Sequence, residues 1–307
     1  MTDSHDELLE ELRPVAFGIA YRMLGSVAEA EDVVQEALLR LHRALDEGQR
    51  IESPRAYLAT VTTRLSIDVL RSARVRRERY VGEWLPEPLV TGPSEDPARQ
   101  AELADSLSMA FLVLLESLSP EQRAAFLLHD VFDYGYGEVA EIVGKSEDNA
   151  RQLAARARRH VEDGRPRFEA SRQERDQLAQ RFFAAAREGD VEGLEALLAE
   201  DVVLHGDGGG KVPALARALS GARRVARTLR AWFRQGDRIP GAAVREVEVN
   251  GQPGALMLDG DGKLISVMAL DIADGRVQSI RSIVNPDKLR HIGPVADVDA
   301  LLRNREP

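Results

Sequence analysis

Two stretches of helical periodicity are separated by a segment that cannot be helical, and this break limits the possible folds more than any other feature of the chain. Apolar residues recur at three- and four-residue spacing from Leu8 to about Arg79, without strand-like alternation. Between Glu83 and Pro97 stand Pro86, Pro88, Gly92, Pro93 and Pro97; each proline lacks the N–H a helix needs and clashes with the preceding turn. Helical periodicity returns at about Glu102 and runs to His160. The pattern predicts an all-α domain over 1–80, an extended linker over 81–104 and a second all-α domain over 105–168.

Local signals mark where the helices begin. Ser26 with Glu29 three residues on reads as a capping box, and Val33, Val34, Ala37, Leu38 and Leu41 form the buried stripe that follows. Ser53-Pro54 reads as an N-cap with proline at the first helical position, and Ser119, Pro120 and Gln122 repeat both devices. Gly137 to Val161 has the form of a helix-turn-helix. Val139, Ala140, Ile142 and Val143 supply a short helix, Gly144 and Lys145 the turn, and Ser146 the next N-cap. Ala150, Leu153, Ala154, Ala157 and Val161 form the buried face of the second helix. Its opposite face carries Asn149, Arg151, Gln152, Arg156 and Arg159, side-chain types able to pair with base edges or phosphates.

After Arg172 the texture changes. Helices are expected to Arg187, from Asp190 to Ala199 and from Gly221 to Gln235. Alternating apolar segments follow at 243–249, 255–258, 264–272 and 277–284, with Gly251, Gly260, Gly262 and Gly275 at the turns. Helices followed by antiparallel strands predict a separate α+β domain over 172–290, with a tail over 291–307.

Composition bounds the chemistry. The chain has no cysteine, so disulfides, a thiolate nucleophile and Cys-based zinc sites are excluded, and no cofactor is expected. The acidic N-terminus is no signal peptide, and the longest apolar run, Met109 to Leu115, is too short to span a bilayer. No membrane partner is expected, and the cytoplasm is the expected location. A formal net charge of −10 opposes non-specific coating of nucleic acid, so any DNA contact must be local. Two basic clusters are available: Arg71, Arg74, Arg76, Arg77 and Arg79, then Arg151, Arg156, Arg158, Arg159 and His160.

Residues 15–80, with AYRMLGSVAEAEDVVQEALLRLHRA and SPRAYLATVTTRLSIDVLRSARVRR, resemble the second conserved domain of the sigma-70 family. The resemblance implies that Asp32, Gln35 and Glu36, a polar edge on an apolar helix, bind core RNA polymerase. It also implies that the helix from Pro54 reads and melts the −10 element, with Arg64, Asp68, Arg71 and Arg74 on one face and Arg76 and Arg77 for phosphate. Residues 106–161, with LSPEQRAAFLLHDVFDYGYGEVAEIVGKSEDNARQLAARARRHV, resemble the family's fourth domain, the −35 reader. The implied contacts are Ser146, Asn149, Arg151, Gln152, Arg156 and Arg159. Where that family often has Val-Lys-Ser-Arg, this chain has Ala150-Arg151-Gln152-Leu153, so base preference does not transfer.

The region 172–290 resembles the SnoaL-like members of the cone-shaped NTF2 superfamily. Three strings resemble signatures of the extracytoplasmic-function (ECF) sigma factors that carry this fused domain: Trp84-Leu85-Pro86-Glu87-Pro88, Asp207-Gly208-Gly209-Gly210-Lys211 and Asn285-Pro286-Asp287-Lys288-Leu289. The implied protein is a promoter-recognition subunit whose fused domain regulates in cis, the three strings docking through surface chemistry, and whose cone has room for a small-molecule ligand. Two other classes compete. A ligand-sensing helix-turn-helix repressor leaves the Asp32, Gln35, Glu36 helix without a role. A SnoaL-type cyclase or hydrolase requires His205, Asp271, Trp232 and Arg281 to converge in the cone, which spacing does not establish. The glycine string lacks the spacer and Lys-Ser/Thr ending of a phosphate loop, and predicts a tight turn with exposed amides.

Overall fold

The computed structural model describes residues 2–77, 80–91, 106–164 and 171–303. Its contacts divide the described chain into two compact units: 2–77 with 111–164, and 80–91 and 106–110 with 171–303. Linker residues 80–91 thus belong with the C-terminal domain.

In the first unit, α1 (Thr2–Leu24), α2 (Val27–Asp46) and α3 (Pro54–Arg77) pack on one another. The expected serine N-caps form. Ser26 Oγ accepts the Glu29 amide at 3.2 Å, and Ser53 Oγ accepts that of Ala56 at 3.2 Å. The stripe Val33, Val34, Ala37 and Leu41 is buried, as its spacing requires. Within the same unit lie α5 (Pro120–Phe126), a π-helical turn (Leu127–Val131), α6 (Tyr136–Val143) and α7 (Glu147–Gly164). The helix α4 (Met109–Glu116) precedes them. Ser119 and Gln122 make the reciprocal capping box of α5. Gly144 closes α6 with φ +66, a left-handed conformation that strains a residue bearing Cβ. Two buried arginines help join the parts of this unit. Arg123 donates to the Met23 carbonyl at 2.6 Å and to Glu116 at 2.9 Å, and burial lowers its pKa to about 9. Arg22 donates to the Gly18 carbonyl and lies 5.4 Å from the Phe132 ring centroid; burial lowers its pKa to about 10.

The second unit is α+β. It contains β1 (Val90–Thr91), α8 (Arg172–Glu188), α9 (Val191–Leu197), β2 (Leu198–Asp207), β3 (Leu219–Ser220) and α10 (Ala222–Gly236). Then come β4 (Ala243–Val249), β5 (Gln252–Leu258), β6 (Leu264–Ala273), β7 (Arg276–Ile283) and the short helix α11 (Val298–Arg303). Among the described residues the sheet has seven strands in the order β1-β4-β5-β6-β7-β2-β3. Among these strands β2 and β7 pair in parallel and the other neighbours antiparallel. One sheet face, carrying Leu204, Leu270 and Ile280, packs under Phe182 and Phe183 of α8 and Leu229 and Phe233 of α10. The expected helix from Asp190 to Ala199 ends at Leu197, because Leu198 and Ala199 are drawn into β2, a tertiary pairing that overrides local helix preference. The linker adds an edge strand to this sheet, Val90 opposite Val249 and Thr91 opposite Glu248.

Candidate functional site

In the first unit the candidate partner face is built on α2. Asp32 and Gln35 are exposed and Glu36 is half-buried, with Arg40 Nε donating to Glu36 Oε1 at 2.7 Å. Leu39 lies one helical turn from Gln35 and Glu36 and is 50% exposed, one of few large apolar side chains in that condition among the described residues. Sequence reading missed Leu39, since one leucine beside an apolar stripe looks like core; an exposed apolar group ringed by polar ones is what a docking face presents.

Arg64, Asp68 and Arg71 are exposed on one face of α3, at i, i+4 and i+7. The side chains of Arg74, Arg76 and Arg77 lie outside the described residues. Arg64 does not point freely outward. It donates through Nε to the Ile142 carbonyl at 3.0 Å and through Nη2 to the Glu141 carbonyl at 2.8 Å, at the C-terminal end of α6 where backbone acceptors and the helix dipole favour a cation. Arg71 likewise pairs with Glu121 at 2.7 Å and with Asp68 at 3.4 Å.

The helix-turn-helix is formed by α6 and α7, with Ser146 Oγ accepting the Asn149 amide at 3.3 Å. Ala150, Ala154, Ala157 and Val161 are buried, while Asn149, Arg151, Gln152, Arg156 and Arg159 are all exposed. Arg151 is steadied by Glu147 at 2.6 Å and lies 5.2 Å from the Tyr136 ring centroid. Arg158 turns aside to Asp130 at 2.6 Å.

In the second unit the three strings converge on one buried ion pair. The Asp207 side chain is wholly buried, and its carboxylate accepts four hydrogen bonds. Oδ1 takes the Tyr80 hydroxyl at 2.5 Å and the Gly209 amide at 3.0 Å; Oδ2 takes the Leu85 amide at 2.9 Å and Lys288 Nζ at 2.7 Å. Lys288 also donates to the Leu85 carbonyl and lies 4.2 Å from the Trp84 ring centroid and 5.0 Å from that of Tyr80. Asn285 Nδ2 donates to the Tyr80 oxygen at 2.8 Å. Burial, then the bond to Asp207, raises the Tyr80 pKa. Glycine is required here: a Cβ on Gly209, at φ +59, would stand 2.3 Å from Asn285 Nδ2, and one on Gly210 2.9 Å from Val81 Cβ.

This corrects two expectations. Asp207 and Lys288 are buried rather than at the surface, because each neutralises the other and linker groups satisfy the remaining bonds. The expected surface character holds for Lys211 and Asp287, which form an exposed ion pair beyond the turn. Of the Trp84–Pro88 string, Leu85, Pro86, Glu87 and Pro88 are buried and Trp84 is half-buried. Further along the linker, the Pro88 carbonyl pairs with His291 Nε2 at 2.7 Å. Asn250 brackets Leu89, its Oδ1 accepting the Leu89 amide at 2.8 Å while its own amide donates to the Leu89 carbonyl at 2.8 Å. Asn250 and Tyr80 were not foreseen; Asn250, at φ +52 beside Gly251, reads in sequence only as a turn residue.

The four residues required for catalysis do not converge. In β2 and β6, His205 and Asp271 alternate with the core-facing Leu204 and Leu270, and so project from the opposite sheet face. There His205 Nδ1 meets Glu83 Oε1 at 2.6 Å, and Asp271 accepts Ser279 Oγ at 2.6 Å and pairs with Arg281. Burial lowers the Arg281 pKa to about 10, against the opposing charge of Glu83. Trp232 lies on the wall of a cavity on the other, helix-covered face.

Three family models match the chain: Sigma-70 region 2 over residues 8–76, Sigma-70, region 4 over 108–161, and SnoaL-like domain over 179–284. The chain is similar to the ECF RNA polymerase sigma factor SigJ of Mycobacterium tuberculosis, 41% identical over 289 residues that cover 91% of each protein. It is also similar to the ECF RNA polymerase sigma factor SigG of that species, 33% identical over 207 residues, 60% of this chain and 56% of SigG. Among solved structures, the crystal structure of the M. tuberculosis SigJ superposes with a TM-score of 0.75 and 37% identity, covering 94% of this chain and 99% of that one.

Proposed function

Because the chain belongs to the ECF RNA polymerase sigma factors, we propose that core RNA polymerase docks on the α2 face and that α3 and α7 engage the −10 and −35 promoter elements. The protein directs promoter-specific transcription initiation. In this reading Asp32, Gln35, Glu36 and Leu39 meet the polymerase, Arg64, Asp68 and Arg71 with Arg74, Arg76 and Arg77 serve the −10 element, and Ser146, Asn149, Arg151, Gln152, Arg156 and Arg159 the −35 element. The sequence boundaries at 80, 104, 168 and 290 approximate the division of these tasks, with Tyr80 and residues 106–110 grouped with the C-terminal unit.

The C-terminal domain modulates this activity in cis. The observation that carries the reading is that the linker between the two promoter-reading regions is bonded into the C-terminal domain's own sheet and to its buried Asp207–Lys288 pair. A segment held this way has a fixed path, and release of it lengthens the tether between the two regions. We read the domain as regulatory rather than catalytic, since its acid-base candidates lie on the linker-bearing face, where His205 is engaged by Glu83 of the linker and Asp271 by Arg281. The test is run-off transcription from a cognate promoter with purified core polymerase. Glu36→Lys, folded by circular dichroism, should lose core binding; retention of parental affinity by this variant refutes the docking face.

A further inference from the structure

We propose that the cavity of the C-terminal domain is a binding site for an uncharged, largely apolar small molecule that carries one hydroxyl or carbonyl group. The cavity lies between the helix-bearing sheet face and α10 and has a volume of about 460 Å³, within the usual range for small-molecule sites. Trp232 and Phe233 of α10 wall one side, and Met257 and Met268 of the sheet face them. Methionine and aromatic side chains of this kind adapt to an apolar guest.

Two serines break the apolar lining. Ser282 sits opposite Met268 on β7, and Ser266 opposite Met257 on β6; both line the cavity and are only 4% and 7% exposed. Neither hydroxyl makes a hydrogen bond among the described residues, and both face the cavity, so a guest there can supply the missing partner. Their positions are diagonal neighbours on one sheet face, close enough to serve a single polar group. They can donate to a carbonyl, or donate to and accept from a hydroxyl.

The ionisable lining residues argue against a charged ligand. Arg187 is committed to the Phe183 carbonyl at 3.2 Å and Glu246 at 2.9 Å, and Asp237 is exposed. An anion carried into this lining would lose its hydration with no free cation to meet it, and a cation would find only the solvent-exposed Asp237. Nor does the lining hold a candidate acid-base pair for turnover, since His205, Asp271 and Arg281 project from the other face. Val298 and Leu301 of α11 complete the wall. The chain leading to them is tied down where the Leu264 amide donates to Pro294 and the Ala296 amide to Leu264, each at 2.8 Å.

The full chain is titrated with the neutral fluorophore N-phenyl-1-naphthylamine, read by its emission and by energy transfer from Trp232 in a Trp84→Phe background. Saturable binding is expected, with displacement by 1-hexanol, 1-octanol and 1-decanol improving about fourfold per methylene buried. Decanoate and decylammonium should displace at least about tenfold less well than 1-decanol. Ser266→Ala with Ser282→Ala, which removes two unpartnered hydroxyls and so should fold, is expected to erase the preference for 1-decanol over decane. Absence of saturable binding, decanoate binding as tight as 1-decanol, or an unchanged alcohol preference in the double variant overturns the proposal. These readouts need no polymerase, so their failure is distinct from failure of the sigma-factor reading.

Discussion

Removal of the Lys288 ammonium should release the linker. In Lys288→Met the stem is nearly kept while Asp207, with no exposed side-chain surface, loses its countercharge. Breaking a buried pair in this way costs about 3–5 kcal/mol. Three neutral donors remain on the carboxylate, from Tyr80, Leu85 and Gly209, which places the effect near the lower end, about 3 kcal/mol. The cheapest relief is for residues 80–88 to lift so that water reaches Asp207, and at 1.4 kcal/mol per decade the opening constant then rises about a hundredfold. Hydrogen exchange at the Leu85 amide reads this directly, because that amide donates to Asp207. Trp84 emission should shift as the overlying cation is removed. Lys211→Met is the control: its ion pair with Asp287 is about half-exposed, so the expected cost is under about 1 kcal/mol and Leu85 exchange should change less than about fivefold. If Lys288→Met leaves Leu85 exchange within about threefold of the parent, or Lys211→Met equals it, the buried pair is not what holds the linker.

Three further outcomes are expected. Alanine at Arg151, Gln152 or Arg156 should either relax preference at one −35 position, by about 1–3 kcal/mol for a base reader, or weaken all sequences alike for a phosphate contact; binding to a panel of single-base promoter variants separates these, and unchanged selectivity in all three refutes the assignment. Glu121→Gln, which removes the shorter of the two ion pairs of Arg71 and leaves that with Asp68, should tighten binding to −10 DNA in an anisotropy titration at low salt; unchanged affinity means that Arg71 does not serve that element. The Tyr80 phenol has a folded pKa above the unfolded value near 10, so its stabilisation is fully present below about pH 10 and is lost as pH rises through the folded value. Tyr80→Phe should therefore lack that alkaline component in pH-dependent thermal unfolding, and an identical alkaline slope in parent and variant contradicts the placement.

Sequence alone determined the parts. The period of apolar residues and the caps at Ser26, Ser53, Ser119 and Ser146 specify helices because both act within a few residues, and each of these serine caps forms. The polar face of α7 was legible for the same reason: burial of Ala150, Ala154 and Ala157 leaves Arg151, Gln152 and Arg156 outside. The three unusual strings were visible through their resemblance to family signatures. Tertiary structure decided what they do. Asp207 and Lys288, 81 positions apart, look like two surface charges until the fold brings them to 2.7 Å in a site that water does not reach. Strand pairing, not propensity, ended α9 at Leu197 and made Val90–Thr91 an edge strand of a distant sheet. The same alternation that put Ser266 and Ser282 in the cavity put His205 and Asp271 on the opposite face, a choice of register that only the assembled sheet makes.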